Sequence, residues 1–251
     1  MNRQEIIEKC LTKLGVTAEG AAEKLDKYAE FMVEQNKMFN LTAITEFEDI
    51  VAKHFADSLA PIATGIVSRE TNGMKEGNVS RETPVTIIDV GTGAGLPGIP
   101  LAIALPEVKV TLLDALAKRI TFLKETADIL PLTNIYPVHA RAEDAARSEL
   151  REAFDISVSR AVADLSILAE YCLPFVRKGG IFISYKADNC EEEVESAAAA
   201  IATLGGRLQK IVKFDVPGTD ITRSLVIIEK ISDTPDKYPR RAGLPEKKPI
   251  R

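Results

Sequence analysis

Residues 85–101 read VTIIDVGTGAGLPGIPL, an apolar run that leads directly into a glycine-rich turn. Glycines after a strand allow tight turning and close backbone approach to a ligand, whatever that ligand is. Gly93, Gly95 and Gly98 satisfy the spacing G-x-G-x-x-G, which is a weak signal when it stands alone. No Gly-Lys-Ser or Gly-Lys-Thr follows, so the turn is not a P-loop for nucleoside triphosphates.

Asp89 discriminates between the remaining ligands because it ends the apolar run just before the glycines. A carboxylate fixed there would repel a pyrophosphate and attract an ammonium group. S-adenosylmethionine has an amino-acid end and no phosphate, so the pattern favours this cofactor over NAD. Asp114 ends the next apolar run, LLDA, about 20 residues further on, where carboxylates reach ribose hydroxyls in such folds. Capping of the following helix is the alternative role of Asp114.

From Pro84 onward, short apolar runs alternate with helical patterns, which predicts strand–helix–strand crossovers and a mostly parallel sheet. The last two runs are joined by PGTDITR without a helix, which predicts a terminal antiparallel hairpin at the sheet edge. The predicted strands are 85–90, 109–115, 134–140, 154–161, 179–187, 206–216 and 224–230. The predicted helices between them are 98–105, 117–130, 141–150, 164–177 and 188–204.

The region before the sheet, residues 1–66, is predicted to be a helical extension. Apolar residues recur within 18–39 at the period of an amphipathic helix, namely Ala22, Leu25, Ala29, Met32 and Val33. Thr45 is predicted to cap a second helix, with Glu48 as its capping-box partner.

Residues 67–83 contain the pentapeptide VSRET twice and bury little apolar surface, so we expect a mobile, peripheral insertion. The core is then 84–231, and residues 232–251 form a basic tail. From Lys237 onward this tail has six basic residues against Glu246, whereas the whole chain of 251 residues has a net charge of −5. Such a tail can follow a phosphate backbone, and a solvated tail is the alternative.

Composition is typical of a cytoplasmic protein. The amino-terminal residues mix both signs of charge, and no apolar run is long enough for a signal peptide or a bilayer span. The three cysteines are far apart and form no metal-binding or redox spacing. We therefore expect reduced thiols, no bound metal and no membrane partner.

Seven segments occur in this order: NLTAI, KHFADSL, DVGTGAGLPGIPLAI, LLDALAKRITFLK, RAED, SRAVADL and PRRAGLPEKKPI. Together they resemble the bacterial small-subunit ribosomal RNA guanine-N7 methyltransferases, also called the glucose-inhibited division protein B family. The resemblance runs from about residue 20 to the end, apart from the insertion. It implies an α/β fold of the class I S-adenosylmethionine-dependent methyltransferases, Rossmann-like, with a seven-stranded sheet. It also implies a guanine of the 530 loop in 16S rRNA as substrate, S-adenosylhomocysteine as product, and 16S rRNA or the small ribosomal subunit as partner.

The resemblance implies cofactor contacts at Gly91 and Leu96 in the glycine turn, at Ala142 and Glu143 in RAED, and at Arg160 in SRAVADL. Leu96 stands where relatives often carry Phe, and either side chain can pack on a ligand. Helix capping is the alternative role of Glu143. The predicted cofactor site is completed by Asp89, Gly93, Gly95 and Asp114.

Guanine N7 carries a lone pair in the ring plane and no proton, so its methylation needs no general base. The enzyme then has to hold N7 in line with the methyl–sulfur bond. Arg160, near the end of the fourth predicted strand, is predicted to orient the cofactor or the base without titrating. The alternative is an ion pair with Asp89 or Asp164.

The substrate-side candidates are polar residues of the amino-terminal region and basic residues elsewhere. His54 and Asp57 lie three apart on one helical face and would support Asn40 and Thr42 of NLTAI beside the substrate cleft. A cluster that docks the helices onto the sheet is the favoured alternative for His54. The candidates for phosphate contacts, each with a solvated surface role as the alternative, are Arg119, Lys186, Arg240 and Arg241.

Two other functions stay open from the sequence. One is a class I methyltransferase that acts on a small molecule or a protein, which the basic tail disfavours. The other is a NAD-binding dehydrogenase or a nucleotide-binding module, which Asp89 disfavours. We expect the protein to be a monomer.

Overall fold

The computed structural model describes residues 1–68, 84–160 and 163–251. The strands are β1 (Thr86–Val90), β2 (Lys109–Asp114), β3 (Ile135–His139), β4 (Phe154–Arg160), β5 (Val176–Ala187), β6 (Gly206–Asp215) and β7 (Thr222–Lys230). They form one sheet in the order β3-β2-β1-β4-β5-β7-β6. β7 is antiparallel to β5 and β6, and the other pairs are parallel. The predicted seven-stranded, mostly parallel sheet is confirmed.

The predicted hairpin is also confirmed, and the structure adds its orientation. β7 returns between β5 and β6, which leaves β6 at the edge of the sheet. Leu225–Ile228 of β7 are completely buried, whereas residues 207–210 of β6 are exposed. An apolar run needs cover on both faces and a polar run does not, so the apolar strand takes the inner position.

The helices differ from the sequence prediction in three places. The predicted helix at 141–150 is confined to four residues, and the one at 188–204 is divided into two. The one at 164–177 ends at Cys172, and the strand that follows it begins at Val176, within the predicted helix. The helices are α1 (Arg3–Lys13), α2 (Ala21–Phe39), α3 (Phe47–Ile50), α4 (Ala60–Ala63), α5 (Gly98–Ala104), α6 (Ala117–Ile129), α7 (Ala142–Ala145), α8 (Leu165–Cys172), α9 (Glu191–Ser196), α10 (Ala198–Thr203) and α11 (Leu244–Lys247). A π-helical turn, Val51–Ala56, follows α3, and a 3₁₀ turn, Leu173–Phe175, follows α8.

The sheet separates two apolar clusters. Ile87 and Ile156 belong to the cluster that includes buried residues of α1, α2, α5 and α6. Ile88 and Phe182 belong to the cluster that includes α8 and α10. Neighbouring residues of β1 thus face opposite clusters, as the two-residue period of a strand requires. Each such side chain, when fully buried, contributes roughly 1.5–3 kcal/mol to folding.

The amino-terminal helices pack on the first of these clusters. α2 buries the predicted face, and it also buries Tyr28, whose hydroxyl donates to Ala94 O in the glycine turn at 2.5 Å. The predicted cap at Thr45 is wrong, because Glu46 occupies the N-cap position of α3 and makes no side-chain cap. The helical extension therefore supports the glycine turn directly.

Val67, the first residue of the predicted insertion, is not peripheral. Val67 is buried, and its N–H donates to Pro61 O at 2.9 Å, so it belongs to the packed amino-terminal region. Residues 69–83, which include most of the predicted insertion, lie outside the described residues. Across the three described ranges, we find no helix with the length and apolar character needed to span a membrane.

Candidate active site

A cavity of about 510 Å³ opens where β1, β2 and β4 end. Ligands in open α/β sheets bind at the carboxyl ends of the strands, so this position is the expected one. Ten of the residues proposed from the sequence line it: Thr42, His54, Gly91, Gly93, Leu96, Asp114, Arg119, Ala142, Glu143 and Arg160.

The glycine turn forms one wall of the cavity. Gly91 and Gly93 line it with φ values of +74° and +62°, which a residue with a side chain rarely adopts. Gly95 is not on the wall, contrary to prediction. A Cβ there would lie 2.3 Å from Cδ1 of Ile99, so Gly95 serves the packing of the turn on α5.

Asp89 lies beneath the turn and not on the cavity wall, which corrects the predicted direct contact with the cofactor. It is completely buried, and its Oδ2 accepts from the Thr92 hydroxyl at 2.6 Å and from Gly98 N–H at 2.8 Å. Within the described ranges, Oδ1 has no hydrogen-bond partner. Burial raises the pKa of Asp89 to about 6, so the carboxyl is mainly ionised at pH 7. An unpaired buried carboxylate oxygen favours a positively charged ligand nearby over a diphosphate.

Asp114 organises the next part of the wall. Its Oδ2 accepts from Gly93 N–H and from Nη1 of Arg119, both at 3.0 Å, and its Oδ1 accepts from Leu116 N–H at 2.9 Å. Leu116, not Asp114, is the N-cap residue of α6. Asp114 therefore fixes the glycine turn while it lines the cavity. Arg119 is paired with this carboxylate and is not a free cation for phosphate.

Glu143 and Ala142 line the opposite part of the cavity. Glu143 is buried, and its Oε1 accepts from Gly243 N–H at 2.9 Å. The alternative of helix capping is wrong, because Arg141 is the N-cap residue of α7 and makes no side-chain cap. Gly243 is a cavity residue that the sequence analysis missed.

Arg160 ends β4 and lines the cavity. Its Nη1 donates to Oδ2 of Asp57 at 2.9 Å and to Lys53 O at 3.3 Å. The ion pair thus exists, but its partner is Asp57, and the proposed partners Asp89 and Asp164 are wrong. Asp57 is buried beside the cavity without lining it. The π-helical turn carries Lys53 and leads into Asp57, and such turns often occur at functional sites.

His54 projects from the same π-helical turn into the cavity wall. Its Nε2 lies 2.8 Å from the Thr42 hydroxyl, and its Nδ1 lies 3.3 Å from Lys53 O. We assign a neutral ring that donates from Nδ1 and accepts from Thr42 at Nε2. Burial, and then the Arg160 charge, lower the pKa of His54 to about 4, which agrees with this assignment.

The NLTAI turn brings Thr42 to the cavity but not Asn40. Asn40 ends α2 with a φ of +50° and is exposed, so its predicted place beside the cleft is wrong. Asn36 holds the turn instead. Its Oδ1 accepts from the N–H groups of Leu41 and Thr42 at 2.6 and 2.9 Å, and its Nδ2 donates to Thr42 O.

The pKa of His54 gives a testable pH dependence of stability. The unfolded chain binds a proton on this ring at a higher pH than the folded chain, so stability falls as pH falls from about 6.5 to 4. A His54→Gln variant lacks this loss. When the pH is lowered from 7 to 5, we expect the free energy of unfolding of the variant to rise by about 2 kcal/mol relative to that of the wild type. Protonation of Asp89 as the pH falls has the opposite effect on stability. It cancels in the comparison because both proteins contain Asp89.

Urea unfolding of both proteins at the two pH values measures this difference. An unchanged difference between pH 7 and pH 5 would show that His54 titrates normally in the folded protein.

The basic candidates outside the cavity have separate roles. Lys186 donates to Oε1 of Glu193 at 2.6 Å and to Ala163 O at 3.0 Å, so its ammonium group is held within the protein, and its phosphate contact stays a prediction. Arg240 is bound to the buried Glu170 and is not free either. Arg241 is exposed and stays a candidate for a phosphate contact. Arg141 is an exposed cation that lines the cavity and was not predicted from the sequence. In the parts of the chain that the structure describes, no cluster of His, Cys, Asp and Glu could hold a metal ion.

Comparison with known proteins gives a consistent result. Residues 21–225 match the model of a family described as rRNA small subunit methyltransferase G. Similar proteins named ribosomal RNA small subunit methyltransferase G occur in Clostridium tetani and in Limosilactobacillus reuteri. The first is 49% identical over 90% of this chain and 89% of the relative. The second is 44% identical over 98% of both chains.

Proposed function

This chain belongs to the rRNA small subunit methyltransferase G family, and we propose that its target is N7 of one guanine in the 530 loop of 16S rRNA. It is an S-adenosylmethionine-dependent methyltransferase of class I fold. This membership removes the alternatives of a NAD-binding protein and of a methyltransferase for small molecules or proteins. The finer proposal is supported by the resemblance and by the chemistry of the cavity.

The residues present fit S-adenosylmethionine. Gly91, Gly93 and Leu96 would hold the amino-acid end beside the glycine turn, and Asp114 would accept from the ribose hydroxyls. Glu143 would accept from the amine of the adenine base. When bound, the cofactor supplies a methyl group on a positively charged sulfur, and the chain has to bring a nucleophile to it.

The proposed target atom needs orientation and no base. N7 of guanine has a lone pair and no proton to lose. His54 is neutral at pH 7, and its Nε2 lone pair is already bound to the Thr42 hydroxyl. It is therefore poorly suited to take a proton and well suited to fix the NLTAI turn at the cavity wall.

The Arg160–Asp57 pair is the observation that carries the proposal. N7 methylation leaves a positive charge on the guanine ring, which an unpaired arginine at the wall would repel. Asp57 balances the Arg160 charge at 2.9 Å, and His54 adds none. Arg160 is thus a fixed hydrogen-bond donor whose charge is offset by Asp57, a carboxylate that also lies 3.5 Å from Nε of Arg223. We assign Arg160 the positioning of the base or the cofactor.

Methyl transfer from labelled cofactor to RNA from cells that lack this gene tests the proposal. Label in 16S rRNA, presented free or in small subunits, supports it. Label confined to a protein extract would contradict it. The same assay decides which form of the RNA is the substrate.

We expect exposed cations near the cavity to contact RNA phosphates. In an Arg241→Ala variant, the plot of log affinity for 16S rRNA against log salt concentration should become less steep by about one. Lys178→Ala is the matched control, because Lys178 is exposed near the amino-terminal end of β5, whereas the cavity lies at the carboxyl ends of the strands. Filter binding across a salt series measures both slopes. An Arg241→Ala slope equal to that of the control would remove Arg241 from the RNA surface.

We further propose that the enzyme acts in the cytoplasm, where its RNA substrate is found, and that it acts as a monomer. One chain supplies every wall of the cavity described above, which supports the second statement.

A further inference from the structure

The last twenty residues, 232–251, lie against the body of the protein and are called the docked tail below. Two arginines of the body hold its backbone. Arg151 donates to Tyr238 O at 2.9 Å and to Thr234 O at 2.6 Å, and Arg147 donates to Pro239 O at 2.5 Å. Ile250 packs on the apolar cluster beneath α8. The segment is therefore packed against the protein, although it is rich in basic residues.

Arg240 anchors the docked tail. Its Nε donates to both oxygens of Glu170, at 2.9 and 3.1 Å, its Nη2 donates to Oε2 at 2.5 Å, and its backbone N–H donates to Oε1 at 2.7 Å. Glu170 is only 1% exposed within the mostly apolar helix α8. A buried carboxylate without a cation is costly, so this pair strongly favours the docked arrangement.

The docked tail reaches the cavity three residues beyond this anchor. Gly243 N–H donates to Oε1 of Glu143, and both Gly243 and Glu246 line the cavity. Glu246 also accepts from the Tyr171 hydroxyl at 3.3 Å. The Gly243 N–H group takes up Oε1 of Glu143 only, so the backbone of the tail fixes one oxygen and leaves Oε2 for a ligand.

We propose that the docked tail is a wall of the cofactor cavity, and that Arg240 and Glu170 are positioning residues for recognition of the cofactor's base. This inference rests on the proposed function because it takes S-adenosylmethionine as the ligand and places its adenine beside Glu143. With Oε1 held by Gly243, Oε2 accepts from an exocyclic amine. A base with a carbonyl oxygen at that position presents a second acceptor and is rejected.

Calorimetric titration of the full chain with S-adenosylhomocysteine and with S-inosylhomocysteine tests the inference. The second compound replaces the amine of the base by an oxygen. Wild type should prefer S-adenosylhomocysteine. Arg240→Ala should bind it about tenfold more weakly and should lose most of the preference. Arg240→Lys, which keeps the charge but not the fork, should fall between the two.

Glu170→Gln weakens the contact between Arg240 and residue 170 in a second way, because it removes the buried negative charge and leaves no unpaired carboxylate. Lys248→Ala is the matched control, since Lys248 is an exposed cation of the same tail. Thermal melting verifies that each variant is folded.

The outcomes separate the two levels of the proposal. Wild type that binds neither compound would overturn the proposed cofactor, and with it the function. Wild type that binds normally, with folded anchor variants that keep both the affinity and the preference, would overturn only the role of the tail. An equal loss of affinity for both compounds would also overturn it, because a merely structural contribution predicts that result.

Discussion

Replacement of Arg160 by Ala is expected to lower kcat for RNA methylation by about 100-fold or more, with a smaller effect on the Kd for S-adenosylhomocysteine. Arg160 is a fixed donor on the cavity wall, held by Asp57 and by Lys53 O. Its loss removes this donor and leaves the buried Asp57 carboxylate without its closest cation. Misplacement of a reacting group by about 1 Å is enough for an effect of this size.

Single-turnover methylation at saturating cofactor measures this prediction. Arg160→Lys should also be strongly impaired, because an ammonium group cannot reproduce the planar fork. Arg177→Ala is the matched control, since Arg177 pairs with Asp155 at the amino-terminal ends of the strands, away from the cavity. An Arg160→Lys enzyme with the full methylation rate would refute the assigned role.

Asp114→Asn is expected to weaken binding of S-adenosylhomocysteine by about 10- to 100-fold. Three donors converge on this carboxylate, from Gly93, Leu116 and Arg119. An amide places its NH₂ group against Leu116 N–H in one orientation, and against Gly93 N–H and Arg119 in the other, so at least one of these contacts is lost. The predicted hydrogen bond to the ribose is weakened at the same time.

Asp128→Asn is the control for this variant, because Asp128 is an exposed carboxylate on α6. Calorimetric titration gives the two dissociation constants, and thermal melting shows whether each variant is folded. Wild-type affinity in a folded Asp114→Asn variant would mean that Asp114 neither supports the turn nor contacts the cofactor.

The sheet was predictable because its signals are local. Apolar runs of strand length, separated by helical patterns, gave all seven strands with ends within a few residues. The depth of Asp89 was not predictable, because it depends on how the turn closes over the carboxylate. A sequence shows that an acid precedes the glycines, but not that Thr92 and Gly98 bind it from inside the fold.

The tail shows a second limit of sequence reasoning. Six basic residues suggest a solvated or RNA-bound segment, yet Arg240 is bound to Glu170. The sequence LSILAEYC did contain a signal, because Glu170 is the one charged residue of a mostly apolar helix and therefore needs a partner. Which of the many cations supplies that partner depends on packing across 70 residues. The Arg160–Asp57 pair was missed for the same reason.

Mass mapping of 16S rRNA after reaction with the purified enzyme and S-adenosylmethionine tests the central claim most directly. The RNA comes from cells that lack this gene, both free and in small subunits. We expect one added methyl group, found as N7-methylguanine within the 530 loop. No added methyl group, or one on an exocyclic amine, on a ribose hydroxyl or in another loop, would contradict it.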